Sequence, residues 1–174
     1  MDARIIIGQI LGFVATAVFF ISYQMNTKKT LMLTQILGAS FMCFSFLLLG
    51  AVTGFVMNIT CVSRNIIFYF VDRRSKLYKP CVAVVVIAMA ASGALSWTGP
   101  MSLLVTAAII INTLFISIGD PQLLRKSLIL TSSMIGAYDA FVMAFGGMTN
   151  EIISVISSVI GIIRYKKKGS KNNE

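Results

Sequence analysis

The sequence predicts an all-α integral membrane protein: seven transmembrane helices in a 3+1+3 arrangement, two parallel three-helix bundles joined by a linker helix. Three observations predict it. First, the chain of 174 residues is 57% hydrophobic and 12% charged, with a mean hydropathy of +0.87, and that charged share is about half what a soluble domain carries. Second, its Lys and Arg residues are concentrated in every other loop, on one side of the expected membrane. Third, short matches recur between its first three and last three apolar segments. A bilayer-crossing helix takes ~20 apolar residues, so little length remains for a soluble domain.

Unpaired backbone cannot face lipid, and these apolar runs are too long for barrel strands, so each segment reads as a helix. The first, 4–24, ends at Asn26-Thr27-Lys28-Lys29. Its apolar run is too long for a signal peptide, no small-residue cleavage site follows, and its lysines come after it. It is expected to be a retained helix. The second, 30–49, runs from the Lys pair to Gly50, and the third, 53–71, stops before the loop Asp72 to Pro80. The fourth, 81–98, is nearly all Val, Ala, Ile and Met and ends at Gly99-Pro100. The fifth, 101–118, stops at Gly119-Asp120-Pro121, and the sixth, 127–146, closes on Gly146-Gly147. The seventh, 149–165, runs into Arg164-Tyr165-Lys166-Lys167-Lys168, a stop-transfer anchor that attracts anionic lipid. All three prolines fall in the breaks, where chains leave a helix.

The net charge of +9 is topological. One set of alternate loops holds Lys28, Lys29, Arg73, Arg74, Lys76, Lys79, Arg125, Lys126, Arg164, Lys166, Lys167, Lys168 and Lys171, thirteen of the 15 basic residues. The other side has only Arg4, and Arg64 lies inside a span. The positive-inside rule then sets the N-terminus outside and the C-terminus in the cytoplasm of a bacterial inner membrane. The expected partner is the lipid bilayer, with a small polar solute and no nucleic acid; a homo-oligomer stays open.

There is no His and there are six acids, a poor set for hydrolytic or metal chemistry. No Lys lies inside a span to form a Ser/Lys dyad. No enzyme activity, cofactor or metal is expected. Cys43, Cys61 and Cys81 form no CxxC pair and read as apolar fillers. The ten Met residues are spread over the spans as packing.

The repeat rests on three ordered matches. Lys29 to Thr34 matches Lys126 to Thr131 at a separation of 97; Phe20-Ile21-Ser22 matches Phe115-Ile116-Ser117 at 95. Gly50-x-x-Thr53 matches Gly146-x-x-Thr149 at 96. Three is odd, so a linker span restores parallel orientation, as in transporters built from parallel repeats. The expected domains are 1–74, the first bundle; 75–100, the linker; 101–168, the second bundle; and 169–174, a cytoplasmic tail.

Polar groups inside the spans carry the functional reading. Asn58, Cys61 and Asn65 fall at i, i+3 and i+7, on one helix face. The repeat carries them to Ser154, Ser157 and Gly161. Two such faces either line a central cavity or allow close helix packing. Arg64 and Asp139 are the deep charges, at expected depths only ~6 Å apart at 1.5 Å rise per residue. They read as an ion pair joining the bundles or as a gate, with Arg64 alternatively snorkelling to the cytoplasm. Tyr138 and Asn112 add hydrogen-bonding groups near that depth, and Thr16, Gln35 and Ser40 are weaker candidates. Glu151 reads as a solvated rim charge and Gln9 as interfacial.

Gly54-Phe-Val-Met-Asn58 through Arg64-Asn65, and Gly146-Gly147-Met-Thr149 through Ile162-Ile163-Arg164-Tyr165, resemble the YgjV family of bacterial inner membrane proteins. With its 3+1+3 order, the chain is more distantly similar to the SWEET and SemiSWEET sugar transporters. It departs from the SWEET pattern in having no proline within the core helices, and its Trp97 lies at the outer end of the linker. That resemblance implies a membrane transporter in which an asparagine of span three and its repeat mate, here Asn58 and Ser154, contact the solute. Glycines at 12, 38, 54, 136 and 161 would permit helix motion. The alternative is a membrane structural or interaction protein whose polar groups are interhelical glue.

Overall fold

Proline and turn chemistry set where the helices begin. Seven α-helices form among the described residues of the computed structural model, 3–22, 28–118 and 121–171. They are α1 Ala3–Ser22, α2 Lys28–Leu48, α3 Val52–Phe70, α4 Tyr78–Leu95, α5 Pro100–Ile118, α6 Pro121–Phe141 and α7 Phe145–Lys171. Asn26, Thr27, Gly119, Asp120 and the last residues of the expected tail, 172–174, lie outside the described residues, as do the side chains of Lys28, Lys29 and 164–171.

The first five helices match the expected spans to within three residues. The last two do not: α6 starts and ends earlier than 127–146, and α7 begins before 149 and continues through Lys171. Pro100 and Pro121 open α5 and α6, and Pro80 is the third residue of α4. Proline suits a first turn because its missing N–H would have no helical partner there. The prolines therefore start helices and do not end them.

The α6–α7 turn lies at Val142 to Ala144, not at the paired glycines. Met143 takes a left-handed φ of 54°, its N–H reaching Ala140 O at 3.2 Å, while Ala144 N–H reaches Asp139 O at 2.8 Å. This is a Schellman cap. The α2–α3 turn is the same motif: Gly50 at φ 74°, with bonds to Leu47 O at 3.2 Å and from Ala51 N to Phe46 O at 2.9 Å. The corresponding caps are 93 residues apart.

In order around the molecule the neighbours are α1, α2, α3, α5, α6 and α7, which closes back on α1; α4 packs outside, on α3 and α5. Polar and apolar surfaces are inverted relative to a soluble protein. Phe70, Val84, Ile87, Leu95 and Phe141 are exposed, whereas Thr53, Arg64, Asn65, Thr113 and Asp139 are buried. By length and composition α1, α4, α5 and the Phe145–Ile163 part of α7 can each cross a membrane. The apolar stretch of α2, Met32–Leu48, is shorter. A core of Met42, Phe46, Met57, Val105, Ile109 and Tyr138 lies between the helices.

A candidate solute cavity

The cavity enclosed by these helices measures about 360 Å³. Its α2 wall is Gln35, Ala39, Met42 and Phe46, and its α6 wall is Leu128, Ser132, Ile135 and Asp139. Every one of these pairs is 93 residues apart, as are Asn58 and Cys61 of α3 and Glu151 and Ser154 of α7. The structural counterpart of Asn58 is thus Glu151, not Ser154. The Gly50 and Gly146 match had aligned a turn glycine with a helix glycine. A shift of three residues leaves a side chain on nearly the same helix face, so the apolar pattern tolerates the slip.

One end of the cavity is closed. There the start of α7 meets the middle of α1, where Gly146 lies against the Gly12 backbone, so close that a Cβ on Gly146 would overlap it. Thr16 Oγ1 donates to Gly146 O at 2.7 Å. Gln9 bridges to the α6–α7 turn, Nε2 donating to Met143 O at 2.6 Å and Oε1 accepting from Phe145 N at 3.1 Å. Gln9 thereby ties α1 to the α6–α7 turn. The starts of α3 and α5 meet in a hydroxyl cluster: Thr53 Oγ1 donates to Ser96 O at 2.6 Å and lies 2.9 Å from Ser102 Oγ. Between these seams the Gly54 N–H donates to Tyr138 Oη at 2.8 Å.

The other end carries the basic residues. Arg64, Asn65 and Arg73 line it, with Met32 and Ile116. Asn65 Oδ1 accepts from Arg64 Nε at 3.1 Å and Nη2 at 3.0 Å, and Thr113 Oγ1 accepts from Nη1 at 3.0 Å. Arg73 donates to Ile116 O at 2.6 Å. Arg64 is therefore not paired with Asp139. Asp139 sits two residues from the end of α6, while Arg64 is twelve residues past the start of α3. The start of α3 meets the end of α6 at the Gly54–Tyr138 bond, which puts Arg64 and Asp139 about 15 Å apart along the axis at 1.5 Å per residue, beyond an arginine's reach. Placing the end of the sixth span at 146 had moved Asp139 too deep.

Of the other sequence-derived candidates, Asn58, Asn65, Asn112 and Ser154 line the cavity. Asn58 Nδ2 is turned back onto Gly54 O at 2.9 Å, and Asn112 Oδ1 is buried without a partner. Tyr138 is buried against Phe46, ring centroids 6.2 Å apart, and belongs to the closure. Ser157 is exposed on the outer face of α7. The inward stripe of that helix runs Asn150, Ser154, Ser158, at i, i+4 and i+8, which turns Ser157 away.

Glu151 was misread as a rim charge. It lines the cavity and accepts from Asn150 Nδ2 at 3.0 Å and from the Ser132 side chain. Asn150, four residues before Ser154, shares its face; that spacing was the available signal. Thr113 as the partner of Arg64 has no local signal, because it comes from another helix. Asp139 lies over Gly147, where a Cβ would meet its carboxylate. The first turn of α7 has free N–H groups and positive partial charge, a favourable place for a carboxylate. Among the described residues no group of three or more His, Cys, Asp or Glu could hold a metal ion.

No curated protein and no solved structure matches the chain. A family model described as bacterial inner membrane protein, Imp-YgjV, does match, over residues 6–169. The apolar exterior agrees with it, and the chain belongs to the Imp-YgjV family of bacterial inner membrane proteins.

Proposed function

We propose that this protein is a transporter that moves a small polar solute across the inner membrane by alternating access. The observation that carries the reading is the cavity, with polar walls contributed by α3, α5, α6 and α7 and one end bounded by the Gly12–Gly146, Thr53–Ser102 and Gly54–Tyr138 contacts. Its volume falls within the usual range for small-molecule sites. The 93-residue correspondence of α2 and α3 with α6 and α7 supports two parallel three-helix bundles with α4 as the linker. On this reading all seven helices span the membrane, with the N-terminus outside. The closed end then faces outward, the Arg73 end faces the cytoplasm, and the structure corresponds to an inward-facing state. The chain acts without enzymatic chemistry or a cofactor.

A second reading, a rigid structural subunit, is favoured by the Gly12–Gly146 contact and the Thr53 hydroxyl cluster, which tie the same helices together. Solute counterflow in proteoliposomes separates the two. Transport predicts saturable exchange of at least one member of a broad panel of polar solutes. It also predicts that Cys61, which lines the cavity, is modified by an impermeant thiol reagent from the cytoplasmic side only, at a rate a transported solute changes. A protein with no exchange and a Cys61 unreactive from both sides is the structural subunit.

A further inference from the structure

Asp139 and Glu151 line the cavity toward its closed end, at positions whose counterparts 93 residues earlier are Phe46 and Asn58. The acidity is confined to one wall. Asp139 is 1% exposed, and its Oδ1 has no hydrogen-bond partner. Asn150 is 7% exposed; its Nδ2 donates to Glu151 Oε1, which fixes the amide orientation and leaves Oδ1 as a second unpartnered acceptor. Two buried oxygens on adjoining helices lack a donor, and both belong to residues that line the cavity; buried acceptors of this kind call for a ligand that brings donors. Among the described residues no basic side chain answers them. Arg64 is spent on Asn65 and Thr113, and Arg73 on Ile116 O, both at the opposite end.

Taking the cavity as a solute path, as above, we propose that its closed end is a subsite for the ammonium group of an organic amine. A primary ammonium has three N–H donors and no acceptor, which suits Asp139 Oδ1, Asn150 Oδ1 and the Glu151 carboxylate. The rest of the wall decides between an organic cation and a bare ion. Met42, Phe46, Val105 and Ile135 face the same space, and they offer an apolar bed for the carbon body of the amine. A cavity of 360 Å³ far exceeds one dehydrated ion. Charge-assisted hydrogen bonds would fix the ammonium, and apolar contact would hold the remainder.

The test is the thermal stability of the purified full-length protein against rising n-butylammonium chloride, with n-butanol and sodium chloride at equal concentrations. The subsite predicts a saturable rise in Tm with n-butylammonium alone. Asp139→Asn and, independently, Asn150→Ala should weaken the apparent dissociation constant about tenfold or more, as expected for losing a hydrogen bond to a charged group. Asn150→Ala removes no charge and reads the site even where Asp139→Asn folds poorly. An equal rise with n-butanol or with sodium chloride overturns the proposal, as does wild-type binding in both variants. Counterflow run alongside keeps the two readings apart. Ammonium binding without flux of any solute overturns transport and leaves the subsite standing. Flux of neutral solutes with no ammonium-specific stabilisation does the reverse.

Discussion

Tyr138 Oη caps the start of α3 from a different helix, accepting the Gly54 N–H at 2.8 Å. Gly54 lies in the first turn of α3, where amides have no helical acceptor, and the N-cap Ala51 supplies no side-chain bond. One hydroxyl therefore satisfies a buried orphan donor and ties α6 to α3 across the closed end. Tyr138→Phe keeps the ring packing on Phe46 and strands that donor, which costs about 1–3 kcal/mol. The expected outcome is a lower Tm together with greater reactivity at the closed end, read by labelling a Cys introduced at Ser102.

The Gly12–Gly146 contact tolerates no side chain. Gly146→Ala drives a methyl into backbone that cannot swing aside, and should destabilise by about 1–3 kcal/mol, as overpacking does. Gly136→Ala is the matched comparison, because its Cβ would make only ordinary contacts with the Glu151 side chain, Cβ at 3.4 Å and Cγ at 4.0 Å. Ala gains about 1 kcal/mol of helix propensity over Gly, so that variant should melt at or above the wild type. Equal destabilisation by the two would remove the close approach as the cause.

Met143 carries a conformation that its counterpart Gly50 adopts freely. Its φ is 54° and it is 68% exposed, so little packing is lost on removing the side chain. Left-handed backbone costs a non-glycine residue roughly 1–2 kcal/mol. Met143→Gly should therefore stabilise the protein, with a higher Tm in detergent, and Gly50→Met should lower it.

Arg64 is held by neutral partners, which sets what its variants do. The double exchange of Arg64→Asp with Asp139→Arg should give no rescue over the single changes, measured as yield of folded protein. Thr113→Val should cost about 1.5–3 kcal/mol, the worth of a hydrogen bond to a charged group. In a cycle with Arg64→Lys the two losses should fall short of additive, because both remove the same bond. Full additivity would mean that Thr113 and Arg64 do not interact.

Much of the architecture was legible in the chain itself, and the candidate site only in part. Asn58, Asn65, Asn112 and Ser154 could be picked out because amides and hydroxyls are rare and costly inside apolar helices. Tyr138 and Ser157 were chosen on the same ground and went elsewhere, one to the closure and one to the outer surface. Ser157 stands three residues from Ser154, whereas the inward stripe of α7 steps by four through Asn150, Ser154 and Ser158, which turns Ser157 outward. For Glu151 the boundary matters: a start of α7 at Phe145 instead of 149 carries it a turn deeper.

By itself the sequence determined the helical class, seven segments and most of their bounds, because run length, loop charge and turn residues are local properties. It also determined which loops are basic. Only the tertiary structure decided the register of the repeat, the partners of Arg64 and the joint placement of Asp139, Asn150 and Glu151. A slip of three or four residues leaves an amphipathic pattern almost unchanged while moving a side chain about 4.5–6 Å along the axis. Periodicity cannot detect that displacement, and hydrogen bonds between helices depend on it.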